Sequence, residues 1–138
     1  MRAKLSVAVA GIGLLLAAEP VVAHHAFSAE FDANKPLVLR GTVSKTEWIN
    51  PHSWIHIDVK GPDGKVATWA IECGAPNSLL RKGLNKNSIP IGTELVIDGY
   101  GAKNGSTTAN AKDITLPDGR KMFVGSSGTG APFEQPQR

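Results

Sequence analysis

Apolar and polar residues alternate with the period of a β-strand along most of this chain, and only one short segment has a helical signature. From Leu37 to Trp48, the residues Leu37, Leu39, Gly41 and Val43 alternate with Val38, Arg40, Thr42 and Ser44, which predicts a first strand. Gly41 inside it suggests a bulge or bend, as a tightly coiled small barrel requires. The alternation is sharpest from His52 to Lys60. There Ser53, Ile55, Ile57 and Val59 share one face, and His52, Trp54, His56 and Asp58 share the other. A Gly61-Pro62-Asp63-Gly64 turn leads to a third strand over 65–72, with Ala67, Trp69 and Ile71 on one side.

Pro76 to Gly83 reads as the helix. Proline suits the first turn, Arg81 and Lys82 suit the C-terminal end, and Gly83 suits the position just beyond it. Strands follow over 94–100 and 107–116, and Asp118-Gly119 turns the chain into Lys121-Met122-Phe123-Val124. Three strands, a helix and two more strands predict an all-β domain, a small five-stranded OB-like barrel over 37–125. An open sandwich of similar size is the alternative. Residues 24–36 carry Phe27 and Phe31 without a period, and are expected to form an N-terminal arm that lays both rings on the domain. Residues 126–138, rich in Gly, Ser, Pro and Gln, are expected to be a disordered tail.

The start of the chain changes the picture. A short basic stretch, an apolar run from Leu5 to Ala18 and the small residues Val21-Val22-Ala23 form a secretory signal peptide over 1–23. The apolar run is shorter than the roughly 20 residues that span a bilayer. Cleavage after Ala23 would leave 115 residues, no membrane span and a periplasmic or secreted protein. Those residues carry 13 basic and 11 acidic side chains, too balanced and too evenly spread for a nucleic-acid surface. Cys73 is the sole cysteine, so no intramolecular disulfide forms. A small buried side chain is the expected role for it, and Met122 and Trp69 are expected to be core.

Candidate chemistry gathers in two places. Cleavage after Ala23 makes His24 the first residue, and its amine and Nδ1 together chelate Cu(II). One further imidazole would complete a histidine brace. His25 offers a second chelate through the amine, the intervening amide and its ring. His52 and His56 lie on one strand face, about 13 Å apart at strand rise, too far to share an ion without distortion. Either would instead join an arm histidine, with Trp54 as an aromatic wall. The metal set expected from the sequence is therefore His24, His25, His52 and His56, with copper as the ion. Trp48, Trp54 and Asp58 complete a surface that would alternatively bind a small ligand, a glycan or an envelope protein, as OB barrels do on strands 2 and 3. No spacing identifies a catalytic residue.

Taken together, the segments HHAFSAEFDANKPLVLRGTVSKTEWINPHSWIHIDV, NSLLRKG and ANAKDITLPDGRKMFVG resemble a family of small exported bacterial proteins, the domain of unknown function numbered 6152. The resemblance runs from His24 to about Gly125. It implies an exported single domain and carries no activity, cofactor or catalytic residue.

Overall fold

A computed structural model describes residues 26–134 of the 138-residue chain. The expected signal segment, together with His24 and His25, lies outside the described residues. Helix α1 (Ala26–Glu30) leads directly into β1 (Phe31–Glu47), followed by β2 (Trp54–Lys60) and β3 (Val66–Glu72). Helix α2 (Pro76–Arg81) comes next, then β4 (Glu94–Ala102), β5 (Thr108–Thr115) and β6 (Lys121–Phe123).

Strand pairing closes a ring. β1 is antiparallel to both β2 and β4, β2 to β3, and β4 to β5, while β3 and β5 run parallel over Ala70–Glu72 and Thr108–Asn110. The all-β reading holds, and the circuit β1–β2–β3–β5–β4 with α2 between β3 and β4 is the expected OB-like barrel. β6 adds a sixth strand against the end of β5, and α1 adds a second helix.

The 17-residue β1 serves two neighbours because it bends. Thr42 pairs with both Asp58 and Glu94, so two strands converge on this point. Gly41 permits the crowding: a Cβ there would lie 2.7 Å from the carbonyl oxygen of Asp58 and 3.0 Å from Val59. The register shift itself falls between Val43 and Lys45, not at Gly41. The alternation of β2 is obeyed, with Ser53, Ile55 and Ile57 buried and Trp54, His56 and Asp58 half-buried on the outer face. Ile71, Leu79, Leu95, Ile97 and Ile114 complete the main core, each contributing about 1.5–3 kcal/mol by leaving water. Trp69 and Met122 line it as expected.

A second apolar cluster lies outside the barrel. Phe27 and Phe31 of α1 and β1 meet Ala102 and Ala131, with Tyr100 and Phe133 against them. Tyr100 stands on the outer face of β4; the Phe27 ring meets it edge-on at 5.6 Å, and Phe133 stacks on it at 6.3 Å. The arm thus docks through both phenylalanines, but β1 begins at Phe31, six residues before the expected strand. Residues 126–134, expected as disordered tail, form a strap here: Ser126, Thr129 and Ala131 are buried. Glu134 closes the strap on itself by accepting from the Thr129 amide and hydroxyl and the Gly130 amide. These donors outweigh the effect of burial and hold its carboxyl below the usual range. The strap and arm also join directly, since the Phe27 amide donates to the Thr129 carbonyl at 3.2 Å.

Candidate ligand and metal site

The register of five strands lays one row of side chains across the outer face. Glu47 pairs with Trp54, Trp54 with Glu72, Glu72 with Asn110 and Asn110 with Tyr100. Their neighbours Ile55, Ile71 and Ala109 are all essentially inaccessible and point inward, so the row points outward. An outer face is ordinarily wet, yet Glu72 is only 8% exposed and Asn110 only 1%. A polar pair has been buried on the outside of a barrel.

His52 stands at the end of the β1–β2 connection, just after the Asn50–Pro51 peptide, which is cis. Ser53 fixes this connection to the chain beyond β3, donating its amide to the Gly74 carbonyl and accepting from the Cys73 amide. Gly74 in turn donates to the carbonyl of Val124, which leads the strap past the same point. Three segments distant in sequence therefore meet at the His52 ring. Ser126 Oγ lies 3.2 Å from Nδ1, and Glu72 Oε1 lies 3.7 Å from the same nitrogen. Ser126 donates its own hydrogen to the Cys73 carbonyl at 3.4 Å. The hydroxyl oxygen is then free to accept, so the arrangement is satisfied when Nδ1 carries the proton. Nε2 keeps its lone pair.

Burial pushes the Glu72 carboxyl above its ordinary range, opposed by the nearby His52 and reinforced by Glu30 of α1. Asn110 Nδ2 donates to Glu72 Oε1 at 3.3 Å, while Asn110 Oδ1 and Ser53 Oγ are buried without a partner among the described residues. Serine, histidine and an acid meet here, but not as a proton relay. Such a relay needs the hydroxyl and the carboxylate on opposite ring nitrogens, and here both face Nδ1.

His56 belongs to a different group. Its Nε2 lies 2.7 Å from Glu47 Oε2, and Glu47 also accepts from Lys45 Nζ at 2.9 Å. Lys45 first, and His56 after it, hold the Glu47 carboxyl below its usual range. Trp48 donates its indole N–H to Thr46 Oγ1, and Asp58 accepts from the Thr68 hydroxyl at 2.7 Å. His52 and His56 therefore have separate acid partners, and among the described residues no three His, Cys, Asp or Glu side chains gather as a metal cluster. Cys73 is fully buried as expected. Burial, with Glu72 adding to it, pushes its thiol far above the usual value.

Glu72, Asn110 and Ser126 are the site residues that sequence reasoning missed. Glu72 was within reach: the Asp63-Gly64 turn sets the hairpin register in which Trp54 faces Glu72. Asn110 and Ser126 arrive through the parallel β3–β5 pair and the strap, and no local pattern marks either.

No described helix is long and apolar enough to cross a membrane. Residues 11–111 match the model of a family described as a family of unknown function, DUF6152. No curated protein and no solved structure matches the chain.

Proposed function

Because the chain belongs to DUF6152, a family of unknown function, no activity comes with that membership, and we propose from the site itself that the protein is an exported copper-binding module. The ion would be held by the amine and ring of His24, exposed by cleavage after Ala23, and by Nε2 of His52. His25 supplies the alternative chelating ring.

One observation carries the reading: Ser126 Oγ lies within hydrogen-bond distance of His52 Nδ1, with the Glu72 carboxyl 3.7 Å away, which leaves Nε2 as the ligating nitrogen. Metal-binding histidines are oriented in this way, with the other ring nitrogen tied to a carboxylate or another acceptor. The arm supports the same reading. α1 follows His24 and His25 directly, and its Phe27 amide bonds the Thr129 carbonyl of the same strap that brings Ser126 to His52. His56 is committed to Glu47 and stays outside the site. Amine and imidazole nitrogens suit Cu(II), the strongest binder of the divalent series.

The test uses the processed protein, its first residue established as His24 by mass spectrometry. Cu(II) titration followed by electron paramagnetic resonance should give one equivalent in a nitrogen-rich axial site. His52→Ala should lose one nitrogen from the spectrum and weaken binding at least about tenfold, while His56→Ala leaves both unchanged. A glycine added before His24 should weaken binding comparably. Affinity no better than that of the denatured chain overturns the proposal.

A further inference from the structure

The outer face carries a second feature, independent of the His52 nitrogen. A depression of about 260 Å³ lies between α1 and the β4–β5 loop, lined by Ala29, Glu30, Lys103, Asn104, Ser106 and Thr108, among others. Thr108 is in register with Ala70 of β3, and Ala70 with His56 of β2. Ala109, Ile71 and Ile57 point inward beside them, so Thr108, Ala70 and His56 point out. Beyond Thr108 at its edge, the register places the small Ala70 next on the outer face and then His56, with Trp54 two residues along the same strand. Neighbouring strands are about 4.8 Å apart, so two spacings from β2 to β5 give a trough about 10 Å wide. That width admits one chain of six-membered rings.

We propose that this trough binds a neutral oligosaccharide. OB barrels take two kinds of extended ligand on the strand 2–3 face, oligonucleotides and oligosaccharides. An oligonucleotide requires a basic groove along its backbone. Here Glu30 lines the depression and Glu47, Asp58 and Glu72 lie on the neighbouring outer face, against Lys45, which Glu47 engages, Lys103, which reaches the Ser28 carbonyl, and Lys35, which reaches the Lys103 carbonyl. This charge excludes a polyanion. It suits hydroxyl groups, which donate to carboxylates and to the Asn104 amide oxygen. Trp54 is half-buried on the outer face, where its ring can cover the apolar face of a sugar.

The experiment uses metal-free processed protein, so its result is separate from that of the copper reading. Cellotetraose, chitotetraose and maltotetraose are titrated by tryptophan fluorescence and calorimetry, with an oligothymidylate as the polyanion. At least one neutral tetrasaccharide should bind saturably, and the oligothymidylate should not. Trp54→Ala should weaken binding about tenfold. Ala70→Leu, which raises the floor and leaves every wall residue in place, should do the same. Three results each overturn the proposal: no neutral tetrasaccharide bound at millimolar concentration, the oligothymidylate bound as tightly, or both trough variants binding as the parent does.

Discussion

Replacing Phe27 with alanine removes the main anchor of α1 and should release the arm while leaving the barrel intact. Phe27 is 3% exposed, and its ring touches Phe31 at 5.8 Å and the edge of Tyr100 at 5.6 Å. Truncating a fully buried phenylalanine costs about 3–5 kcal/mol. The lower figure applies here, because Tyr100 and Phe133 are only half-buried and can relax into the space. About 3 kcal/mol corresponds to roughly a hundredfold shift toward the undocked arm, at 1.4 kcal/mol per factor of ten. The loss stays local because Phe27 belongs to the outer cluster and not to the one formed by Ile55, Ile57 and Ile71. Amide hydrogen exchange reads it directly. The Phe27 amide, bonded to the Thr129 carbonyl, and the Lys103 amide, bonded to the Glu30 carbonyl, should exchange about a hundred times faster. The amides of β2 and β3 should keep their rates. Under the proposed copper reading, Cu(II) affinity should fall as well, since the segment that follows His24 and His25 would be released. Uniform acceleration across the barrel, or unchanged rates at Phe27 and Lys103, would refute the reasoning.

Two further outcomes follow from the strap and the bulge. Glu134 has a lowered folded-state pKa, so its contribution is present above the ordinary carboxylate range and is lost as pH falls through the folded value. Limited proteolysis should accordingly cut the strap faster below about pH 4.5, the usual glutamate range. Glu134→Gln should be cut readily at every pH, and an unchanged pH profile in that variant would remove Glu134 as the cause. Gly99 sits where β4 meets the bulge of β5, and a Cβ there would collide with the Asn110 carbonyl. Gly99→Ala should cost about 2–3 kcal/mol in urea unfolding, because backbone is the obstacle. Gly105→Ala, in an open turn at φ 75°, should cost about 1 kcal/mol, and equal losses would show that space is not the deciding factor.

The barrel was legible because a strand with one face in a core must alternate. Ser53, Ile55 and Ile57 declared the inner face of β2, and with it the outward placement of Trp54, His56 and Asp58. α2 was legible from Pro76 and Gly83, the latter at φ 84° beyond its end. The strap was not. Its glycines, serines and prolines resemble those of disordered chains, and its order depends on Phe133 reaching Tyr100 and Phe123 and on Glu134 reaching back to Thr129. The start of β1 was hidden for the same kind of reason. Phe31 to Pro36 has no alternation because those residues follow β4 along the rim, paired from Phe31 at Ala102 to Pro36 at Tyr100 across a register shift. The site was half legible. His52 and Trp54 stood out by type, whereas Ser126 lies 74 residues from the ring it holds.

That separation has a consequence for how the site is completed. The ring of β1 to β5 contains every strand pairing that closes the barrel, and the strap supplies none of them. A chain that stops at Phe123 holds the whole circuit but lacks the hydroxyl that fixes the His52 tautomer. Closure of the barrel and orientation of the His52 ring thus rest on different parts of the chain, the second on the last described stretch. The strap acts as a signature on a finished document: it adds nothing to the ring of strands, yet the His52 ring is not oriented without it.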